Sequence, residues 1–367
     1  MNELYDVVVI GAGPGGLITA RELAKFGHSV LLIEAKKSIE NITYHTLGSF
    51  ADPKDFDLSQ DCIAQKISSC RFYTDTKVVE KQGSGNIFNK LILHKELYDQ
   101  CLGYGVKMAF GELVIGLQKD AQQNISSITS KKGLSILAHR GKIFVDATGI
   151  QATLGKIMGL TPKNRVLGLG IEYDVEILKS PETGHLFVGK EFDDGYGWIV
   201  ATGSTKGIAG WAVPQQKFQK KLTPHIEWML SHKNIKCFIG QKGLKIRGGA
   251  IPMDGPFNKF GVANLVLVGD AAGQVNPVVG EGYRFILNSG MFAGRAISEK
   301  LSQNIFTAHK SYQKLWDHKY RGSYRRIVYT RKFLRSLKPF GFSPKVIIFV
   351  IKYLPRRIIQ KLLSGKL

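Results

Sequence analysis

The stretch "YDVVVIGAGPGGLITARELAKFGHSVLLIE", residues 5–34, decides the fold. An apolar run ends at Ile10, Gly11, Gly13 and Gly16 follow in G-x-G-x-x-G spacing, a helical pattern extends to Phe26, and a second apolar run closes on Glu34. Strand, glycine turn, helix and strand in that order make a βαβ unit. The first glycine permits the tight turn, the second admits a diphosphate close to backbone, and the third lets helix and strand pack closely. The helix N-terminus faces that diphosphate with free N–H groups and the positive end of its dipole. Glu34, at the end of the second strand, stands where it can accept hydrogen bonds from an adenosine ribose and would repel a 2′-phosphate.

Two later stretches indicate which dinucleotide is bound. "GKIFVDATGI" sets a strand before Asp146 and Gly149, and "NLVLVGDAAG" sets another before Gly269 and Asp270. A nicotinamide dehydrogenase has no use for this trio, whereas an extended FAD needs a contact beyond its adenosine and pyrophosphate ends. Asp270, followed by the small Ala271, Ala272 and Gly273, is the residue expected to hold the ribityl hydroxyls. Gly280, Glu281 and Gly282 then open a helix whose N-terminus suits the pyrimidine edge of a flavin, where negative charge gathers on reduction.

The run "KIRGGAIPMDGPFNKFGVANLVLVGDAAGQVNPVVGEGY", residues 245–283, together with "DGYGWIVATGSTKGIAGWAV", resembles the FAD-dependent geranylgeranyl reductase family, within the superfamily that has the p-hydroxybenzoate hydroxylase fold. The resemblance implies an α/β protein: a Rossmann-like FAD-binding domain, an antiparallel-sheet substrate domain and a C-terminal helical segment. The expected division is 1–70, 88–165 and 248–300 for the discontinuous FAD-binding domain, 71–87 and 166–247 for the substrate-binding domain, and 301–367 for a basic amphipathic helical region. The family's Y-x-W-x-F-P and G-x-G motifs fall on Tyr196, Trp198 and Gly210, with Trp211 beside them; these four are the expected substrate residues. Tyr196 and Trp198 share parity on a strand, so both face one side.

The chain also departs from that pattern. Val200-Ala201 replaces Phe-Pro, Ala212 replaces the second glycine, and Leu47-Gly48 stands where the family carries Cys-Gly. His45 and Tyr44, in that same segment, are the candidate proton donors. In "LILHKELYDQCL" Lys95 takes the place of the family's arginine, either as a cofactor contact or as a solvated helix residue.

The implied reaction is saturation of an isoprenoid C=C bond, with reduced FAD supplying hydride and a polyprenyl lipid as substrate. An aromatic-lined pocket suits such a chain, because apolar burial contributes about 0.8 kcal/mol per CH₂. Two other readings stay open: an FAD-dependent monooxygenase, and a membrane-associated flavoprotein that relays electrons or binds lipid. No second G-x-G-x-x-G unit is present for a nicotinamide nucleotide, so NAD(P)H, bound transiently, and ferredoxin are both admissible donors.

Composition narrows the setting. The chain has 367 residues and a formal net charge of +22, and residues 306–367 carry 16 lysines and arginines against the single acid Asp317. That tail interleaves cations with Ile, Leu, Phe and Tyr, as in "VIIFVIKYLPRRIIQKLL", a pattern that suits an anionic membrane surface better than nucleic acid, with a solvated or oligomer-packing helical cap as the other reading. No run reaches the roughly 20 apolar residues of a spanning helix. The short apolar run after Asp6 leads into glycines, unlike a signal peptide. Cys62, Cys70, Cys101 and Cys237 have no C-x-x-C or zinc spacing, so no metal and a reducing compartment are expected, with the protein cytoplasmic and peripheral to a membrane.

Overall fold

The computed structural model describes residues 3–41, 46–74, 77–188, 195–215, 222–277, 280–336 and residue 353. Along the chain run β1 (Leu4–Ile10), α1 (Pro14–Lys25), β2 (Val30–Glu34), β3 (Thr46–Ser49), β4 (Ile63–Tyr73), β5 (Val78–Asn89), α2 (Lys90–Gly103), β6 (Lys107–Phe110), β7 (Leu113–Lys119), β8 (Ile125–Lys132) and β9 (Ser135–Asp146). There follow α3 (Thr153–Ile157), β10 (Leu167–Ile177), β11 (Thr183–Phe187), β12 (Tyr196–Ala201), β13 (Lys206–Pro214), α4 (Thr223–Ser231), β14 (Ile239–Pro252), β15 (Gly261–Val262), β16 (Leu265–Leu267), α5 (Tyr283–Leu301) and α6 (Ala308–Ser336).

The first sheet has the order β15-β16-β9-β1-β2-β6, with β8 and β7 continuing from β9. Strands β16, β9, β1, β2 and β6 are parallel, and the register pairs Ile10 with both Ile33 and Asp146, and Asp146 with Leu267. The carboxyl ends of β1, β2, β9 and β16 therefore lie side by side, and the loops leaving them meet at one edge, where open α/β sheets bind ligands. Burial on both faces explains why β1 and β2 read as continuous Val, Leu and Ile rather than alternating.

Helix α1 covers this sheet and packs against α5 through glycine. A Cβ at Gly290 would strike Ile18, and one at Gly294 would strike Glu22, so only hydrogen at both positions allows the two helices their approach. Helix α6 lies across α5: Tyr312, Trp316, Tyr320, Tyr324 and Ile327 fall on one helical face and are buried against Phe260 and Phe285. The expected C-terminal helical region thus packs into the main core as far as Ile327, and its helix runs to Ser336. The apolar-basic run beyond it lies outside the described residues, apart from Tyr353, which is exposed.

The second sheet has the order β14-β10-β13-β12-β11-β4-β5-β3. All its pairs are antiparallel except β4 with β11. It extends beyond the expected boundaries, taking in Thr46–Ser49, Ile63–Cys70 and the end of β14 to Pro252. The reason lies in the backbone: β4 bonds to β5 from Ile63 through Tyr73, and β14 follows β10 as far as Leu167 opposite Pro252. Its own core, Tyr73, Phe187, Ile199, Trp211 and Met229 among others, sits under α4 on the face away from the first sheet's loops.

Candidate functional site

The glycine turn after β1 has the shape a diphosphate needs. Gly11 has φ +105°, and a Cβ there would collide with the Ala147 carbonyl; one at Gly16 would collide with the Gly11 carbonyl. A Cβ at Gly13 would meet nothing within 4 Å. The first and third glycines are therefore required by packing, and the second opens onto free space. Helix α1 starts at Pro14 with Gly13 as its N-cap, no side-chain cap and no acid in its first turn, so its N–H groups stay available. Glu34 Oε2 accepts the Ala12 N–H at 2.7 Å and Oε1 the Lys36 N–H at 2.9 Å, so the carboxylate braces the turn from the ribose side.

Across the edge, Asp270 sits in a short 3₁₀ turn, Gly269–Ala272, bounded by two left-handed glycines, Gly269 (φ +67°) and Gly273 (φ +70°). Gln274 fixes this turn: its Oε1 accepts the Gly269 N–H at 2.8 Å, and its Nε2 donates to the Tyr312 hydroxyl of α6 at 2.6 Å. Asp270 Oδ1 is buried and has no hydrogen-bond partner. Burial pushes this carboxyl up to about 6, opposed by the positive charges of Lys90 and Arg165. A buried acceptor held this way, without a partner in the chain, fits the hydroxyls of a ribityl chain.

The cation opposite Asp270 is Lys90. It is the first residue of α2, placed there by Asn89, whose side chain caps the helix by accepting from Leu91 N at 3.1 Å and Ile92 N at 3.2 Å. Burial and then Lys36 push the Lys90 ammonium down to about 8, while Asp270 and Glu172 pull the other way. Lys36, close enough to depress Lys90, is itself exposed. One turn on, His94 is buried with Nε2 2.8 Å from the Tyr283 hydroxyl, and burial holds it neutral, well below the usual histidine range. Tyr283, at the start of α5, is pushed well above the usual tyrosine range by burial and then by Asp270.

Lys95, the cation expected from the motif, points elsewhere: it is exposed and pairs with Asp99 at 3.6 Å. Helical geometry accounts for this, because Lys90 and His94 at i and i+4 share a face that Lys95 leaves by about 100°. The spacing of Lys90 and His94 on α2 was the available signal. Asp146 is likewise not open to a ligand. Its Oδ1 accepts from Thr148 N at 3.0 Å and Thr148 Oγ1 at 2.7 Å, its Oδ2 accepts Gly155 N at 2.9 Å, and a backbone bond from Leu154 completes the set. Four donors use all four carboxylate acceptor sites, so Asp146 secures the turn containing Gly149 (φ +65°) rather than reaching a cofactor.

The expected flavin-edge residues also divide. Gly280 (φ +66°) brings the chain under the second sheet: a Cβ there would lie 2.6 Å from Ile251 Cδ1 and 3.7 Å from the Tyr196 hydroxyl. Gly282 is the N-cap of α5, with no side-chain cap and no acid in the first turn. Glu281, between them, turns to β3: Oε1 accepts the Ser49 hydroxyl at 2.6 Å and the Arg284 N–H at 3.2 Å. Burial raises its carboxyl above the usual range. Glu281 thus latches the Leu47-Gly48 strand to the start of α5, a partner in Ser49 that no sequence motif marks.

On the second sheet, Tyr196 and Trp198 share one face, with ring centroids 5.6 Å apart. Trp198 pairs with Gly210 and Tyr196 with Ala212, and the same face continues through Gly170 and Gly249. A Cβ at Gly210 would overlap the Trp198 indole, so this glycine lets the indole lie flat on the sheet. Burial pushes the Tyr196 hydroxyl up to about 12, so it keeps its proton. Trp211, expected beside them, faces the other way. It pairs with Gly197, is fully buried, and stacks on His225 at 5.2 Å, so it belongs to the core under α4. The alternation of the strand puts adjacent Gly210 and Trp211 on opposite faces.

Tyr44 and His45 lie outside the described residues. Leu47 is half-buried on β3, opposite Phe88. No other thiol takes the place of the family's cysteine among Cys62, Cys70 and Cys101, whose thiols burial pushes up to about 12, 11 and 12. Among the described residues no group of His, Cys, Asp and Glu could hold a metal ion.

Known proteins share this arrangement. Residues 6–161 match the model of the FAD dependent oxidoreductase family. The chain is 27% identical to the digeranylgeranylglycerophospholipid reductase of Methanocaldococcus jannaschii, over 87% of this chain and 84% of that protein. It is 26% identical to the enzyme of the same name from Methanococcus aeolicus, over 93% and 88%. The crystal structure of a geranylgeranyl bacteriochlorophyll reductase-like protein from Thermoplasma acidophilum superposes with a TM-score of 0.81 at 21% identity, covering 99% of this chain and 91% of that one. A flavin-dependent brominase superposes with a TM-score of 0.73 at 18% identity, covering 99% and 94%. The cofactor is FAD, in a fold of the p-hydroxybenzoate hydroxylase type, as the resemblance implies.

Proposed function

We propose that this FAD-dependent oxidoreductase saturates isoprenoid double bonds of a prenyl lipid. The observation that carries the reading is the face of Tyr196, Trp198, Gly210 and Gly170, which meets the cofactor edge where the Tyr196 hydroxyl reaches Gly280. An aromatic rim on a glycine floor accommodates a branched hydrocarbon and excludes water from it. The relatives named as reductases of a digeranylgeranyl lipid support the same substrate class.

When bound, FAD in its reduced form supplies the hydride equivalent. The chain's residues do the rest. Gly11, Gly13 and the α1 N-terminus receive the diphosphate, Lys90 stands opposite Asp270, Glu34 faces the ribose, and Asp270 accepts the ribityl hydroxyls. Gly280, Gly282 and the α5 N-terminus border the flavin edge. Trp198 and Tyr196 align the chain, and Tyr196 holds its proton at the rim. One alkene carbon would gain the hydride and its neighbour a proton, for which Tyr44 and His45 are the candidate donors. In this reading the electron donor is NAD(P)H or ferredoxin. We also infer a peripheral position on an anionic membrane: α6 carries nine lysines and arginines against Asp317 alone, and no helix of the described residues is long and apolar enough to cross a bilayer.

The test is an anaerobic single turnover. Protein reduced with dithionite is mixed with a digeranylgeranylglycerophospholipid, and the flavin spectrum and product mass are followed. Reoxidation with mass rising by two hydrogens per step is the expected result. Flavin that stays reduced until oxygen is admitted, with oxygen appearing in the product, would replace the reading with a monooxygenase.

A further inference from the structure

The register of the second sheet sets Trp198, Gly210, Glu172 and Arg247 in one row across β12, β13, β10 and β14, all on the face that carries Tyr196. Gly210 has no side chain, and the Trp198 indole lies over it toward β10. The wall proposed for a hydrocarbon therefore continues, past the indole, into an acid and a guanidinium that are only 4% and 8% exposed. Burying charge is costly unless a partner or a function compensates.

Arg247 is committed mainly to another acid. Its Nη1 and Nη2 donate to the two Asp174 oxygens at 3.0 and 2.6 Å, and the Asp174 side chain is 58% exposed. Only Nε–H turns to Glu172, reaching Oε1 at 3.0 Å. One guanidinium thus serves two carboxylates, and Glu172 Oε2 accepts no hydrogen bond from the described residues. The Asp174 pair and the backbone ladder already hold β14 on β10, so the register does not require Glu172. Across the cleft, the Lys90 ammonium feels both Glu172 and Asp270, which puts Glu172 on the wall that faces the cofactor edge. Burial raises the Glu172 carboxyl above its ordinary 4.5; the Arg247 hydrogen bond and charge oppose this, Asp174 adds to it and Lys90 subtracts from it.

We propose that Glu172 is the acid of the reduction, its Oε2–H giving the proton to one alkene carbon while the neighbouring carbon receives the hydride. This rests on the prenyl-lipid reading and gives the proton a source different from Tyr44 and His45. The alkene π pair takes the proton and becomes a C–H bond; the Oε2–H bond breaks, and its electron pair stays on the carboxylate. The hydride brings its own pair to the other carbon. The alkene is thereby reduced by two electrons and the cofactor oxidised by two, the exchange that the proposed activity supplies. Burial keeps the proton on Glu172 until the substrate arrives, and the Arg247 Nε–H meets the carboxylate charge left behind. Solvent returns the proton before the next turnover.

The test uses the full FAD-loaded chain, reduced with dithionite without oxygen and mixed with a digeranylgeranylglycerophospholipid over a range of pH. In the parent, flavin reoxidation is expected to be level at low pH, to fall about tenfold per pH unit once Glu172 has lost its proton, and to slow in deuterated buffer. Glu172→Gln is expected to reoxidise at least about 100-fold more slowly, with that pH limb gone. Glu172→Asp is expected to lose about tenfold and to keep the limb, which a merely structural acid would not do. FAD content reports on folding of both variants. A readout without turnover is infrared titration of the apoprotein: a protonated-carboxyl band is expected that Glu172→Gln removes and Asp270→Asn leaves in place.

Turnover of Glu172→Gln within about threefold of the parent overturns the proposal; if His45→Ala takes away the pH limb instead, the proton returns to the 44–45 segment. Should Glu172→Gln fail to load FAD, the parent decides, because reoxidation independent of pH and of solvent deuterium also overturns the proposal. A parent that leaves the lipid unreduced at every pH removes the prenyl-lipid reading itself, and the role of Glu172 with it.

Discussion

The Tyr312 hydroxyl of α6 lies 2.6 Å from Gln274 Nε2, and the Oε1 of the same glutamine accepts the Gly269 N–H. A helix outside every cofactor motif thus holds the turn that aims Asp270. Tyr312→Phe removes the hydroxyl from both of its contacts with Gln274, at 2.6 and 2.9 Å, a loss of at least about 1 kcal/mol, so FAD affinity is expected to fall about fivefold or more. Gln274→Ala, which leaves the Gly269 N–H unpaired as well, is expected to cost more than tenfold. Fluorescence titration of apoprotein with FAD measures both, and equal affinity in all three proteins would dissociate α6 from the cofactor.

Lys90 and Lys95 give a clean contrast. Lys90→Gln is expected to lower FAD affinity about tenfold, because the enclosed cation opposite Asp270 is lost. Lys95→Gln removes only an exposed pair with Asp99, and is expected to stay within twofold of the parent. The reverse order would return the role to Lys95.

The pH dependence of the apoprotein follows from Asp270. Its carboxyl stands at about 6, above the ordinary 3.8, so the folded apoprotein holds this proton more tightly than the unfolded chain does. This contribution is fully present at pH below about 4 and is lost as pH rises through 6. Asp270→Asn does not titrate. The difference in unfolding free energy, variant minus parent, is therefore expected to grow in favour of the variant from pH 4 to pH 7, by at most on the order of 2 kcal/mol. Urea unfolding at those pH values measures it, and a flat difference would show that Asp270 ionises freely.

Gly210→Ala tests the substrate face without touching the cofactor edge. The added methyl overlaps the Trp198 indole and forces it off the sheet. Turnover of the prenyl lipid is expected to fall at least tenfold, with FAD affinity unchanged. Trp211→Phe, on the opposite face, is expected to lower stability by about 1–3 kcal/mol and to leave the KM for the lipid unchanged. A loss of turnover in Trp211→Phe equal to that in Gly210→Ala would contradict the facing of the strand.

The local rules that govern a glycine turn are written in consecutive residues, which is why Gly11, Gly13, Gly16 and Glu34 were legible and the first sheet followed from them. The position of Asp270 at the end of its own strand was legible for the same reason, while its role toward the ribityl chain is part of the proposal. Lys90, His94, Tyr283 and Ser49 were not, because each takes its meaning from a partner far along the chain: Asp270 for Lys90, Tyr283 for His94, Glu281 for Ser49. Asp146 and Trp211 were misread through motif adjacency. One sits at a strand end where backbone N–H groups claim it; the other is one residue out of phase with the face that matters.

The order β16-β9-β1 in the first sheet also has a temporal consequence. On the ribosome, β1 and its glycine turn emerge more than 250 residues before the turn carrying Asp270 and the helix that meets α1 through Gly290. At about 5–20 residues per second, that interval lasts on the order of 15–50 s. During it the nascent chain has half a nucleotide pocket and an uncovered apolar helix. A pocket that needs both the Gly11–Gly16 turn and Asp270 therefore closes only after the α5 segment has been made.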